Sequence, residues 1–440
     1  MIKKLALLLV IFYCSTAWAQ TIKTDVLVIG GSPSGVAAAI QSARSKVKTV
    51  LIEKGSRLYP EMVGSTMITI KTDHNLPSGI WGEFRKRVIA HYKKSKAYDT
   101  AYNAPLSFEP DTAASILANI ADSVKNLNIK LNTSFTSIKK DGDYWEVGIA
   151  QDGKTQTIRT RVLIDATPNG DAAQKLNATF TPFNILDNTS RTKIYRTSIV
   201  MGDDLLTRYD TLAPPNNYPP FPSWCIPLKS FVAKGVDNLL GTEKILPGGD
   251  RIELLPSQLT LGQGAGVIAA YLAFFKTTTQ NLNVRVIQGE LLDFKGYILP
   301  LQDISADPYW RAIQQVCATG MLKGVQKGDQ LLFQPDSIVT TAEVKPVLLE
   351  TYTRAFLWFN SEKPGKEFTI GNLLSFISEL TLTEPHNLEV SIRQDWKTKY
   401  GLKSAFDVNR LITRREFAIL ANKFLNPFAR TVDLNGNMVN

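Results

Sequence analysis

The chain has 440 residues, 44% of them hydrophobic and 20% charged, which suits two or three globular domains and excludes a disordered or fibrous chain. Fifty Lys and Arg against forty Asp and Glu give a formal charge of +10. The basic residues are scattered in short clusters such as Phe84–Arg87 and His91–Lys96, so no nucleic-acid module is expected, only a mild attraction to acidic substrates or anionic polymers.

The first stretch, "MIKKLALLLVIFYCSTAWAQ", has Lys3 and Lys4, an apolar run from Leu5 to Cys14, and the small residues Ala17 and Ala19. That pattern predicts a signal peptide over residues 1–19 and a mature, exported protein at the periplasm, cell surface or outside the cell. The run is short for a membrane span, and an uncleaved anchor is the alternative. Past it remain Cys225 and Cys317, read as isolated buried thiols. His74, His91 and His386 are the three histidines, and no His/Cys cluster suggests a metal.

"DVLVIGGSPSGVAAAIQSAR" follows from Asp25. Its apolar run predicts a buried parallel strand, and Gly35 to Arg44 a helix made of good helix formers. Between them, Gly30, Gly31, Ser32, Pro33, Ser34 and Gly35 form a dinucleotide-type loop with serine at the second of three glycine positions. Gly30 supplies the tight turn and Gly35 the close packing, while Pro33 suits a helix's first turn. The helix's amino end would then face a pyrophosphate. "KTVLIEK" is a second strand, ending in Glu53 and Lys54; Glu53 lies 23 residues after Gly30, near the spacing of a ribose-binding acid. A ligand-free strand–helix–strand unit would share most of these features.

Further along come "MVGSTMI" (Met62–Ile68), "FEP" (Phe108–Pro110) opening a helix, "IDATPNGD" (Ile164–Asp171) ending a third strand, and "NLLGTEK" (Asn238–Lys244). "LGQGAGVIAAYLAFF" (Leu261–Phe275) reads as a small-residue helix starting at Gly262, and equally as a tightly packed core helix. In this order, these pieces resemble the FAD-dependent oxidoreductase family related to fumarate reductase and succinate dehydrogenase flavoproteins. The resemblance is closest to exported bacterial members carrying xanthan-lyase-like labels.

That resemblance implies FAD in a Rossmann-like α/β domain over residues 20–175 and 222–285, with a reduced α+β cap over 176–221. Gly30, Ser32 and Gly35 would line the pyrophosphate and Glu53 would hold the adenosine ribose. Gly64, Ser65 and Thr66 would run beside the ribityl chain and flavin ring. Asp165 and Ala166 would close over the pyrophosphate, and Glu243 would approach the ribityl hydroxyls. The helix at Gly262, Gly264 and Ala265 would point its positive end at the flavin's pyrimidine edge, where it would stabilise the reduced form. Arg251, Arg196 and His74 are the candidates for orienting an anionic substrate or moving a proton. The charges around Arg196 could equally belong to an exposed strand, and His74 to a satisfied loop.

Beyond Thr277 the patterning turns helical. A helix with apolar Trp310, Ile313, Val316 and Cys317 is followed by capping boxes at Thr340–Glu343 and, 73 residues on, Thr413–Glu416. "DISADPYW", "GMLKG", "FQPD" and "TTAEV" resemble S-layer homology repeats, which implies a helical domain over 297–430 that binds a cell-wall polymer or polysaccharide. A plain packing or interaction domain fits the same pattern. The expected function is an exported FAD-dependent oxidoreductase acting on a small molecule. The alternative is a non-catalytic surface or polysaccharide-binding protein on the same scaffold.

Overall fold

The computed structural model describes residues 21–60, 62–70, 77–95, 98–101, 104–181, 191–201, 225–243, 245, 252–327 and 330–439. Residues 1–19, and most of the expected cap, lie outside the described residues.

A short strand β1 (Thr21–Lys23) leads into β2 (Val26–Ile29), helix α1 (Pro33–Arg44) and β3 (Thr49–Ile52). A hairpin of β4 (Ile68–Ile70) and β5 (Leu106–Phe108) encloses helix α2 (Gly79–Tyr92). Helix α3 (Pro110–Asp122) then leads to β6 (Leu127–Lys130). Next come β7 (Thr133–Asp141), β8 (Tyr144–Gln151) and β9 (Lys154–Thr160), followed by β10 (Val162–Asp165) and the short helix α4 (Asp171–Lys175). After β11 (Thr179–Phe180), helix α5 (Arg191–Thr197), β12 (Ser198–Met201), β13 (Cys225–Pro227) and β14 (Ala233–Lys234), the strand β15 (Leu239–Gly241) returns to the main sheet.

That sheet is parallel, ordered β15–β10–β2–β3–β6. Strands β2, β3, β10 and β15 are almost wholly apolar because both faces are covered, while the edge strand β6 carries Asn128 and Lys130. Val26, Val28, Leu51 and Ile164 point into the larger core, with Val36, Ala37 and Ile40 of α1. Leu27, Ile29, Val50, Ile52 and Leu163 point the other way, onto Trp145, Val147, Ile149 and Ile158 of a second sheet ordered β1–β9–β8–β7. The nucleotide-type domain is therefore three layers: helices, parallel sheet, then a β-meander where a doubly wound fold would place further helices. Gly142-Asp143 and Asp152-Gly153 make the meander's turns, with positive φ at Gly142, Asp152 and Gly153.

The helix expected from Gly262 begins seven residues earlier, as α6 (Leu255–Phe274). Pro256 in the first turn starts it, since proline needs no N–H partner there. Gly262 and Gly266 then sit mid-helix against α1: a Cβ on Gly262 would lie 2.1 Å from the Ser34 carbonyl, and one on Gly266 2.6 Å from that of Ala38. Gly264 abuts Val200, and Ala265 is fully buried. Close packing explains these small residues, and the placement of Gly262 as a helix terminus is corrected. The helix is apolar on every side because it is buried along nearly its whole length.

Helix α7 (Val284–Asp293) links to the C-terminal region: α8 (Trp310–Ala318), the hairpin of β16 (Val325–Lys327) and β17 (Gln330–Leu332), α9 (Thr341–Thr351), α10 (Ala355–Glu362), α11 (Ile370–Thr381), α12 (Pro385–Thr398) and α13 (Arg414–Leu420). Ile313, Val316 and Cys317 are buried on α8. Thr413–Glu416 is a complete capping box. Thr340 caps α9, but Glu343 does not reach back; its carboxylate takes Arg414 of α13 instead. A further complete box, Thr369–Asn372, opens α11. Backbone bridges Ile338–Thr413, Thr340–Glu367 and Thr369–Leu411 join the three capping segments to one another. Both Cys225 and Cys317 are free and buried, and burial pushes both thiols far up, away from the reactive thiolate.

Candidate functional site

The carboxyl ends of β2, β3 and β10 meet at one edge, and the glycine loop crosses it. Gly30 turns with φ +109°; a Cβ there would stand 2.4 Å from the Ala166 carbonyl oxygen. Gly35 is equally confined, with its Cβ position 2.3 Å from the Gly30 carbonyl. Ser32 is the N-cap of α1 and its hydroxyl accepts from the Gly35 N–H at 3.2 Å, with Pro33 next to it. The serine in place of glycine thus caps the helix whose amino end faces the cleft.

Glu53 is buried and turned inward. One carboxylate oxygen accepts from the Gly31 N–H at 2.6 Å, the other from the Gly55 N–H at 2.7 Å. A Cβ on Gly31 would press on that carboxylate at 3.0 Å, so the bare backbone here keeps room for Glu53 beside the loop. A cleft of about 120 Å3 opens at this point, lined by the loop and Glu53, by Thr133–Phe135, and by Ala166–Pro168 with Asp171. Lys54 lies exposed on its rim. That volume is below the ~300 Å3 at which whole-ligand pockets begin, so it is room for one end of a dinucleotide.

Asp165 serves the frame. Its carboxylate accepts from the Thr167 N–H and hydroxyl at 3.1 and 2.7 Å and from the Ala173 N–H at 2.7 Å, which ties β10 to α4. Burial raises its carboxyl above the usual aspartate range, against the pull of those bonds. Ala166, the next residue, is the one that touches the loop. Beside Glu53, the Met62–Gly64 backbone is held by Arg57, which donates to the Met62 carbonyl at 2.5 Å, and by Asp111, which accepts from Gly64 N–H at 3.2 Å. Ser65 and Thr66 are exposed next to it.

Glu243 follows β15. Its carboxylate accepts from the Ser32 hydroxyl at 2.7 Å and from the Ser34 hydroxyl, and Ser34 also lies 2.6 Å from the Thr242 hydroxyl. A carboxylate therefore rests at the amino end of α1, where a diphosphate would settle.

The expected catalytic residues are not brought together. Arg251 and His74 lie outside the described residues. Arg196, 1% exposed, spends four of its five N–H groups within the protein. It donates to the Thr319 and Gly436 carbonyls and, through two nitrogens, to both Glu350 oxygens at 2.7 Å. It is a strut between α5 and the C-terminal helices. Sequence reasoning missed Arg57, Asp111 and Thr242; Asp111, an acid in the first turn of the helix opened by "FEP", was the readable signal among them.

Residues 25–182 match the family described as FAD dependent oxidoreductase. The cofactor is FAD. The cleft meets that assignment in its own terms: an inward carboxylate beside a glycine loop at the carboxyl edge of a parallel sheet, with the cradle kept open at Gly31. Digeranylgeranylglycerophospholipid reductase of Methanocaldococcus jannaschii is 26% identical over 154 residues, 32% of this chain and 37% of that protein. The chain thus spans little more than a third of the length of its curated relative. Among solved structures, L-proline dehydrogenase from P. horikoshii overlaps 34% of this chain and 23% of that one at 19% identity and TM-score 0.21. Bacillithiol disulfide reductase from Staphylococcus aureus overlaps 33% and 38% at 18% identity and TM-score 0.24. Among the described residues, no cluster of metal-ligating side chains occurs.

Proposed function

We propose that this chain is an FAD-dependent oxidoreductase that transfers hydride between a carbon of a small organic substrate, a sugar or an organic acid, and the flavin N5, and that it works after export from the cytoplasm. The observation that carries the reading is the Glu53 carboxylate on the Gly31 N–H, within a cleft whose floor is the glycine loop. FAD supplies the two-electron chemistry when bound. The chain's residues bind and orient it. Glu53 offers carboxylate oxygens to a ribose, the amino end of α1 offers N–H groups to phosphate, and Arg57 with Asp111 fixes the backbone from Met62 to Gly64. Arg251 and His74 are proposed to orient the substrate and move its proton.

The test is to purify the protein natively, extract and identify any bound flavin, and screen sugars, hydroxy acids and dicarboxylic acids for anaerobic bleaching of its absorbance. A yellow protein bleached by one substrate class supports the reading. A colourless protein that takes up no added FAD overturns it.

Such a colourless protein would favour the second reading, a polysaccharide- or cell-wall-binding protein on a flavoprotein scaffold. The feature behind it is the mutual bridging of the three segments capped by Thr340, Thr369 and Thr413, an internally repeated arrangement. Retention on insoluble cell-wall polysaccharide by the full chain, with or without flavin, is its test.

A further inference from the structure

Helices α1 and α6 run side by side in the same direction, since Ser34 meets Gly262 and, four residues on in each, Ala38 meets Gly266. Their carboxyl ends therefore emerge on one face. α1 has 12 residues, so this face lies about 18 Å from the glycine loop at its other end. Each helix is followed by an exposed lysine in left-handed backbone, Lys46 at φ 68° and Lys276 at φ 51°.

Between these lysines stand Phe274 and Phe275, 69% and 54% exposed, adjacent on the chain with rings edge-to-face at 5.1 Å. Tyr271 and Val286 extend the apolar surface around a groove of about 450 Å3. Burying such a ring is favourable, so two neighbouring phenylalanines left in water mark an interaction surface.

The charge around the patch selects its partner. Arg44 and Lys46 line it and Lys276 directly follows Phe275, against Glu290 and Asp293. Asp293 pairs with Arg311 at 2.6 Å and Arg44 with Glu83, while Glu290 accepts from the Ser45 hydroxyl at 2.9 Å and keeps its charge beside Lys46. Lys46 and Lys276 are exposed on either side of the aromatic pair. Exposed aromatics flanked by lysines match a surface that is apolar below and anionic above. Among the described residues no helix is long and apolar enough to cross a membrane.

We propose that this face docks on an anionic phospholipid surface, with Phe274 and Phe275 entering the acyl region and Lys46 and Lys276 resting on lipid phosphates. Docked in this way, the cofactor cleft opens away from the bilayer. The proposal does not depend on flavin, and its test reads none.

The test is flotation of the full chain with vesicles of phosphatidylglycerol and phosphatidylcholine in equal parts, and with phosphatidylcholine alone, at low salt and at 0.5 M NaCl. Flotation with the anionic vesicles at low salt, weakened at least tenfold by salt, by the double variant F274S/F275S and by K46E/K276E, is expected. All variants should keep the wild-type circular dichroism, because the residues changed are exposed. Equal flotation of wild type and F274S/F275S would overturn the proposal. So would a dimer by light scattering that F274S/F275S dissociates, together with no vesicle binding, since a second copy would then cover the patch.

Discussion

Glu53 and Glu243 stand on either side of one glycine loop, and their partners give them opposite tasks. Glu53 is fixed by the Gly31 and Gly55 N–H groups and is aimed into the cleft. Glu53→Gln keeps the shape but offers one acceptor oxygen fewer, and should weaken FAD binding about tenfold, roughly 1.4 kcal/mol, in a fluorescence titration. Glu243 puts its negative charge on the Ser32 and Ser34 hydroxyls, at the mouth a diphosphate would enter. Two anions about 6 Å apart repel by roughly 2–3 kcal/mol at an effective dielectric of 20. Glu243→Gln should therefore tighten ADP, which has the diphosphate and lacks the ribityl chain, about tenfold by calorimetry. Unchanged or weaker ADP binding would show that Glu243 leaves the mouth without cost.

At the scale of elements, the glycines of α6 make the sharpest prediction. Gly266→Ala would set a methyl about 2.6 Å from the Ala38 carbonyl and push α6 off α1, so a loss of roughly 1–3 kcal/mol in denaturant unfolding is expected. The same region separates what was legible in the sequence from what was not. The strand–loop–helix unit and Glu53 could be read because Gly30, Gly35 and the acid are bound to fixed spacings by the local turn. The start of α6 could not, since small residues in "GQGAG" mark a close approach equally well at a helix end or mid-helix, and only the α1 crossing decides between them. The β-meander was written in Gly142-Asp143 and Asp152-Gly153, two hairpin signals that lie apart from the cofactor motifs. Arg196 was misplaced for a longer-range reason: its partners Thr319, Glu350 and Gly436 lie more than a hundred residues away, beyond any periodicity.

Across the whole molecule, Arg196 joins the segment before β12 to the C-terminal helices. Arg196→Met would unpair the exposed Glu350 and leave the Thr319 and Gly436 carbonyls short of a donor, at a cost of roughly 1–3 kcal/mol. The Arg196 hydrogen bonds hold the Glu350 carboxyl below its ordinary 4.5. A carboxyl lowered on folding stabilises the protein above its unfolded value, and that contribution disappears as pH falls through the folded one. Glu350→Gln should thus melt below the wild type at pH 7, and the gap should close as pH drops below about 4.5. A gap unchanged down to pH 3 would mean that Glu350 is not coupled to folding through its charge.

The claim on which the account rests is that adenosine and diphosphate contacts, built from the glycine loop and Glu53, hold FAD. Calorimetric titration of flavin-stripped protein with FAD and with FMN, which lacks the adenosine half, tests it directly. One FAD per chain, with FMN at least a hundredfold weaker, is the predicted result. Equal affinity for the two, or no binding of either, would contradict it.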